Sequence, residues 1–290
     1  MFEKVLVPVD FSEGSRSAAS SVKEIRGVRE IVLLHVVYNR YPPKDPAVIH
    51  PRVKEARAAI ETFKKDLAMP GVTIDTIVEE TTGGEIFDII NRTAAKLGIS
   101  LVVMGRRGTG IIETLLLGSV ASDVLRYGNT DLFLMHSPSK YRQAMQDPDT
   151  SPPALFSHVM VCTDFSEPEI GNICLEELPW IQRASIFHSV TTGDSKEEIQ
   201  SAVHEAESGL GRIRDEFTRR GIPARTHVSV GSAVEEILAF SKREDVSLIL
   251  LKSTGKKAFL NILTGSTSAP FARNAEKPVL ILKRPRAVRK

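Results

Sequence analysis

The chain has 290 residues, 42% of them hydrophobic and 26% charged, with a formal net charge of +2 at pH 7. The length leaves room for two domains, the composition excludes a disordered or fibrous chain, and the balanced charge excludes a broad basic face for nucleic acid or an anionic membrane. Two cysteines, Cys162 and Cys174, are too few to staple a scaffold of this size and lack the paired spacing of a structural zinc site, which points to a reducing cytoplasm.

In chain order, residues 4–9 form a short apolar run and residues 31–37 a nearly continuous one, the pattern of strands buried on both faces of a parallel sheet. Val53, Ala56, Ile60, Phe63 and Leu67 step by three and four and predict an amphipathic helix. A strand follows at 72–78, a helical stripe through Ile86, Ile89, Ile90 and Leu97, a strand at 101–104, a helix from about Ser119, and a last strand at 131–135. Residues 137–153 carry Pro138, Pro148, Pro152 and Pro153 with little apolar periodicity and read as a linker.

Beyond it the chain repeats itself. VLVPVDFS at 5–12 returns as VMVCTDFS at 159–166, an offset of 154 residues, and Gly108 with Gly118-Ser119 returns as Gly255 with Gly265-Ser266, an offset of 147. Ile199, Val203, Ala206, Leu210, Ile213 and Phe217 repeat the helical stripe, and apolar runs at 248–251 and 278–282 repeat the later strands. The fold expected is α/β: two tandem, Rossmann-like, doubly wound domains, each a five-stranded parallel sheet with helices on both faces. Domain 1 is expected at 1–138, a linker at 139–156 and domain 2 at 157–290.

Ligands of such sheets sit beyond the carboxyl ends of the strands, where the strand order reverses. There the sequence reads VMGRRGTG at 103–110, with Gly118-Ser119 opening the next helix. Glycines admit an anion close to the backbone, and a helix start adds unpaired N–H groups and a positive dipole end, so this is a candidate phosphate cradle. Arg106 or Arg107 could place charge at its rim, and Ser119 could donate to a phosphate oxygen or serve only as a helix cap. Neither a Walker loop nor the dinucleotide fingerprint is present. Asp10 could accept from a nucleoside hydroxyl or simply open a helix with Ser12, and Ser166 with Glu169 has the spacing of a capping box. His35 and His188 read as strand-end histidines without metal-ligand spacing, Cys162 as a small buried residue, and no catalytic signature is found.

These residues resemble the universal stress protein family, whose nucleotide-binding members carry G-x2-G-x9-G-[S/T] after the fourth strand. Gly105, Gly108, Gly118 and Ser119 match that motif, alongside V-P-V-D-F-S in the first strand and L-L-H-V in the second. The resemblance implies ATP or AMP as ligand, with magnesium an optional companion. It places Pro8 and Asp10 along the adenosine, Val36 and Met104 near the adenine, Gly105 and Gly108 near ribose and phosphates, and Gly118, Ser119, Val120 and Ala121 on the phosphates. In the second copy Lys252 stands at the first glycine, Cys162 replaces Pro8 and Ser189 replaces Val36, while Asp164, Gly255, Gly265 and Ser266 remain; this implies a degenerate second site. The resemblance further implies a cytoplasmic, ligand-dependent stress-response module, an internal pseudo-dimer through strands 131–135 and 278–282, and a homodimer of chains. Alternatives are a nucleotide-independent scaffold and a slow ATP hydrolase using Glu113.

Overall fold

The computed structural model describes residues 2–41, 48–106, 117–135, 155–167, 169–191, 195–252, 275 and 277–283. The chain divides into two compact units, Phe2–Ser137 and Pro138–Lys290.

The first unit runs β1 (Lys4–Pro8), α1 (Glu13–Ser21), β2 (Glu30–Tyr38), α2 (Pro51–Leu67), β3 (Thr73–Thr81), α3 (Ile86–Lys96), β4 (Leu101–Gly105), α4 (Ser119–Tyr127) and β5 (Asp131–Met135). Its strands lie in the order β3-β2-β1-β4-β5, and every pairing is parallel. Right-handed crossovers put α1 and α2 on one face and α3 and α4 on the other, and α3 packs on α4. Val5, Leu6 and Val7 are all fully buried, because a central strand covered on both faces has no solvent side. The five residues of the α2 stripe are all buried; in α3 the buried face is Ile89, Ile90, Thr93 and Ala94. Edge strand β3 is mostly half-exposed and carries Asp75, Glu79 and Glu80, charges that discourage further pairing.

The second unit repeats this plan with β6 (Val159–Cys162), α5 (Ile170–Glu177), β7 (Ala184–Val190), α6 (Lys196–Arg219), β8 (Ala224–Val230), α7 (Ala233–Arg243), β9 (Leu248–Lys252) and β10 (Val279–Leu282). The order is β8-β7-β6-β9-β10, again parallel throughout. Both expected sheets are therefore present. Leu155 and Phe156, expected at the end of the linker, are buried, with Phe156 packed edge-on against Trp180 at 5.6 Å. Residues 136–154, most of that linker, lie outside the described residues.

Candidate functional site

In the first unit the strand order reverses between β1 and β4, and the crevice beyond their carboxyl ends is the place where open α/β sheets receive ligands. Half-buried Pro8 ends β1, and half-buried Asp10 follows two residues later. The Ser12 backbone N–H donates to Asp10 Oδ1 at 3.0 Å and the Ser12 hydroxyl donates to the same oxygen at 2.5 Å, closing an Asx turn. Ser12 then caps α1 by accepting from the Ser15 N–H, as expected.

Between Asp10 and Ser12, Phe11 sits at φ 62°, a left-handed conformation that costs an L-residue about 1–2 kcal/mol. Packing offsets that strain. The Phe11 ring lies on His35 with centroids 4.6 Å apart and meets Phe63 edge-on at 6.4 Å. His35 Nδ1 is 2.7 Å from the Val9 carbonyl; a carbonyl only accepts, so the proton of the neutral ring is on Nδ1. The strand-end reading of His35 is thus accurate, and its role is to fasten the turn that carries Asp10.

At the other side of the crevice, Met104 is buried and Gly105 ends β4. A Cβ on Gly105 would lie 2.5 Å from the Gly14 carbonyl oxygen and 2.6 Å from its carbon, so the strand can approach the first turn of α1 only as glycine. Arg106 continues the β4–β5 pairing, its N–H donating to Met135 O at 3.1 Å, and its own carbonyl accepts from the Gly118 N–H at 2.7 Å. Arg106 is only 4% exposed, which corrects the expectation of a rim charge: it belongs to the sheet rather than to the loop. Gly118 is the N-cap of α4 at φ −63° and ψ 153°, with no side chain to bond the first-turn N–H groups. Ser119 is exposed and is the first helical residue, not the cap. Val120 is half-buried and Ala121 buried. Val36 is half-buried near the end of β2. Asp10, Gly105, Gly118 and Ser119 are therefore brought to one edge by the Gly14–Gly105 contact and the Arg106–Gly118 bond. Arg107, Gly108 and Glu113 lie outside the described residues.

The second unit reproduces the turn. Asp164 Oδ1 accepts from the Ser166 N–H at 3.0 Å and from its hydroxyl at 2.5 Å, and Phe165 has φ 59°. The Phe165 ring lies on His188 at 4.6 Å, and His188 Nδ1 donates to Thr163 O at 2.8 Å. Two departures follow. Glu169, not Ser166, is the N-cap of α5, so the expected capping box is absent; Ser166 is held by Asp164 and the helix begins only at Ile170. Lys252 ends β9 in the place of Gly105 and is 6% exposed. Cys162 is buried, and burial pushes its thiol well above the ordinary range, so it is not a nucleophile at neutral pH. Gly255, Gly265 and Ser266 lie outside the described residues.

A cavity of about 1030 Å³ opens in this unit against Asp164, Phe165, His188 and Ser189, with Phe187 and Ile237 among its apolar lining. Among the described residues its charged lining is Asp164 and Glu205 against Arg212. The α6 contribution carried no sequence signal, because a polar residue on a helix is ordinarily a solvated one. The Phe11–His35 and Phe165–His188 pairs did carry one: all four residues sit at fixed places in the repeat. Among the described residues no group of three or more His, Cys, Asp or Glu is placed to hold a metal ion, and no helix is long and apolar enough to cross a membrane.

The family model described as universal stress protein family matches residues 1–136 and 181–283. A universal stress protein of Mycolicibacterium smegmatis is 27% identical over 301 aligned residues, spanning 97% of this chain and 97% of the relative. One of Methanocaldococcus jannaschii is 26% identical over 157 residues, spanning 47% of this chain and 95% of the relative. The crystal structure of a universal stress protein from Archaeoglobus fulgidus shares the fold, with a TM-score of 0.61 at 22% identity over 97% of this chain and 96% of that one. The chain belongs to the universal stress protein family, as a tandem two-domain member.

Proposed function

From that membership we propose that the chain is an adenine-nucleotide-binding regulatory module of the cytoplasm, with ATP or AMP held in the first unit. The observation that carries this reading is the meeting of two half-sites at one sheet edge. The Asp10 turn offers a carboxylate to nucleoside hydroxyls or amines, and the α4 start, with glycine as its N-cap, offers helix N-terminal N–H groups to a phosphate. Pro8, Val36 and Met104 then border the adenine side, Gly105 and Gly108 the ribose and phosphates, and Gly118, Ser119, Val120 and Ala121 the phosphates, with magnesium neutralising charge on ATP. Binding rather than catalysis is the activity, and occupancy is the signal. The apolar last strands, β5 and β10, are the surfaces proposed for an internal pseudo-dimer, since an apolar edge strand is completed by a partner strand, and a homodimer of chains is proposed beside it.

Calorimetric titration of the nucleotide-stripped full chain with ATP and magnesium, and separately with AMP, tests this reading. Saturable binding with at least one site per chain is expected. A folded chain that takes up neither nucleotide would overturn it and favour a nucleotide-independent scaffold.

A further inference from the structure

At the amino edge of each sheet, away from the crevice, the two units carry different side chains in the same place. In the first, the Lys4 N–H donates to Ser100 Oγ at 3.3 Å, the Ser100 hydroxyl donates back to the Lys4 carbonyl at 2.7 Å, and Lys4 Nζ pairs with Glu30 at 2.6 Å across β1 and β2. That pair stands one residue before the register pair Val5–Ile31, and in the second unit His158 and Arg183 stand one residue before the register pair Val159–Ala184. Ser247 takes the part of Ser100: the His158 N–H donates to its Oγ at 2.9 Å, and its own N–H donates to the His158 carbonyl at 2.9 Å. The backbone anchoring is therefore kept, while a cation facing an anion has become a histidine facing an arginine.

The His158 ring is buried and touches three partners. Its Nε2 lies 2.8 Å from the Ser185 hydroxyl oxygen on β7. Its Nδ1 has two neighbours of opposite kind: the Arg183 guanidinium at 2.9 Å, which only donates, and the carbonyl oxygen of Glu244, the C-cap of α7, at 3.2 Å, which only accepts. One ring nitrogen cannot serve both. Without a proton it accepts from Arg183; with one it donates to the Glu244 carbonyl and meets the guanidinium donor to donor. The Ser185 hydroxyl donates or accepts, so it fits either state.

We infer that His158 is a proton-operated switch: neutral, it holds the Arg183 guanidinium, and protonated, it releases Arg183 and takes the Glu244 carbonyl at the end of α7. The helix end favours the imidazolium, because its last carbonyls carry the negative end of the dipole. Main-chain bonds to Ser247 keep His158 in place, whereas Arg183 is exposed, so the guanidinium is the part that moves, into water. Among the described residues the charged groups around the ring are Arg183 at the start of β7, and Glu244 and Asp245 after α7, with Asp245 itself paired with Lys277 at 2.9 Å. Burial and then Arg183 lower the histidine pKa, the Glu244 carbonyl and the two carboxylates raise it, and the lowering prevails. The switch therefore turns as pH falls below the ordinary 6.5 of histidine.

The exchange acts where residues 155–158 lead into β6. There the Gln182 N–H donates to the Phe156 carbonyl at 3.1 Å, and Ser247 Oγ lies 2.9 Å from the Leu155 carbonyl oxygen. In mild acid the second unit loses the side-chain tie between the starts of β6 and β7 and displays the Arg183 guanidinium to solvent. The corresponding place in the first unit holds the mutually attractive Lys4 and Glu30, so the response belongs to the second unit.

The test is a pH titration of the full chain by NMR, with the histidine and arginine side-chain nitrogens labelled and the His158 signals assigned by their loss in His158→Gln. At pH 7.5 Nδ1 of His158 is expected to carry no proton and to gain one on acidification. The Arg183 side-chain signals are expected to move with the same midpoint, and to stay still in His158→Gln. That midpoint should shift to higher pH in Arg183→Ala, which removes the competing donor, and higher still in Arg183→Glu, which restores the charge pattern of the first unit. Arg183 is exposed, so neither substitution disturbs the core. A proton on Nδ1 already at pH 7.5 would overturn the inference. So would Arg183 signals that ignore the titration, a midpoint unchanged in both Arg183 variants, or a His158 that takes up no proton before the chain unfolds.

Discussion

Gly105 is the residue on which the first unit's crevice turns, and its constraint is steric rather than conformational. A methyl group there would meet Gly14 at 2.5 Å, a distance that backbone atoms can relieve only by moving. Gly105→Ala is therefore expected to destabilise the first unit by about 1–3 kcal/mol, the usual cost of overpacking a close contact, read as a lower urea midpoint with an unchanged slope. An unchanged midpoint would mean that α1 yields freely. His35 bears on the same crevice from the other side. His35→Phe keeps the ring stack on Phe11 but leaves the Val9 carbonyl without its side-chain donor, at a cost of about 1–3 kcal/mol if that oxygen finds no other partner. The same measurement checks it, and a variant as stable as the parent would show that the stack alone fastens the turn.

At the scale of elements, α4 separates stability from binding. Its cap is glycine, which has no side chain to bond the first-turn N–H groups, and the cap backbone at φ −63° suits any L-residue. Gly118→Asp should improve the helix by a few tenths of a kcal/mol, since aspartate is a better cap than glycine and complements the dipole. The same carboxylate would occupy the N–H groups a phosphate needs and repel it, so nucleotide affinity is expected to fall at least tenfold while the melting temperature holds or rises. Loss of both together would mean that the variant only damages the fold; retention of affinity would remove the α4 start from the binding site. The strands, the stripe of α2 and the position of this helix start were legible in the sequence, because parallel strands and amphipathic helices print their burial as apolar periodicity. What was not legible depended on contacts distant in sequence. Arg106 is buried and its N–H bonds Met135 at the end of β5, α5 begins late although S-x-x-E marks an earlier start, and the cavity collects residues from β7, α6 and α7 that share no motif.

Taken whole, the chain is a duplication whose copies have diverged in chemistry more than in architecture, and acid should tell them apart. In the second unit His158 is 5% exposed; its Nδ1 lies 2.9 Å from the Arg183 guanidinium and 3.2 Å from the Glu244 carbonyl oxygen, and its Nε2 lies 2.8 Å from Ser185 Oγ. Burial, and then the neighbouring Arg183, hold its pKa below the ordinary 6.5. His227, packed on Phe187 and Phe240, is lowered by burial and then by Arg243. A histidine with a lowered folded pKa takes up its proton first in the unfolded chain. The stability it contributes is whole above about pH 6.5, is lost as pH falls through that value, and levels off only below the folded pKa. Glu216, raised by burial, acts in the opposite sense but nearer the carboxylate range. Calorimetric melts between pH 7.5 and 5.5 are therefore expected to show the second unit's transition moving to lower temperature more steeply than the first's. His158→Gln, which can still accept from Arg183 and donate to Ser185, should flatten that dependence. A pH slope identical in the variant and the parent would show that His158 does not contribute to it.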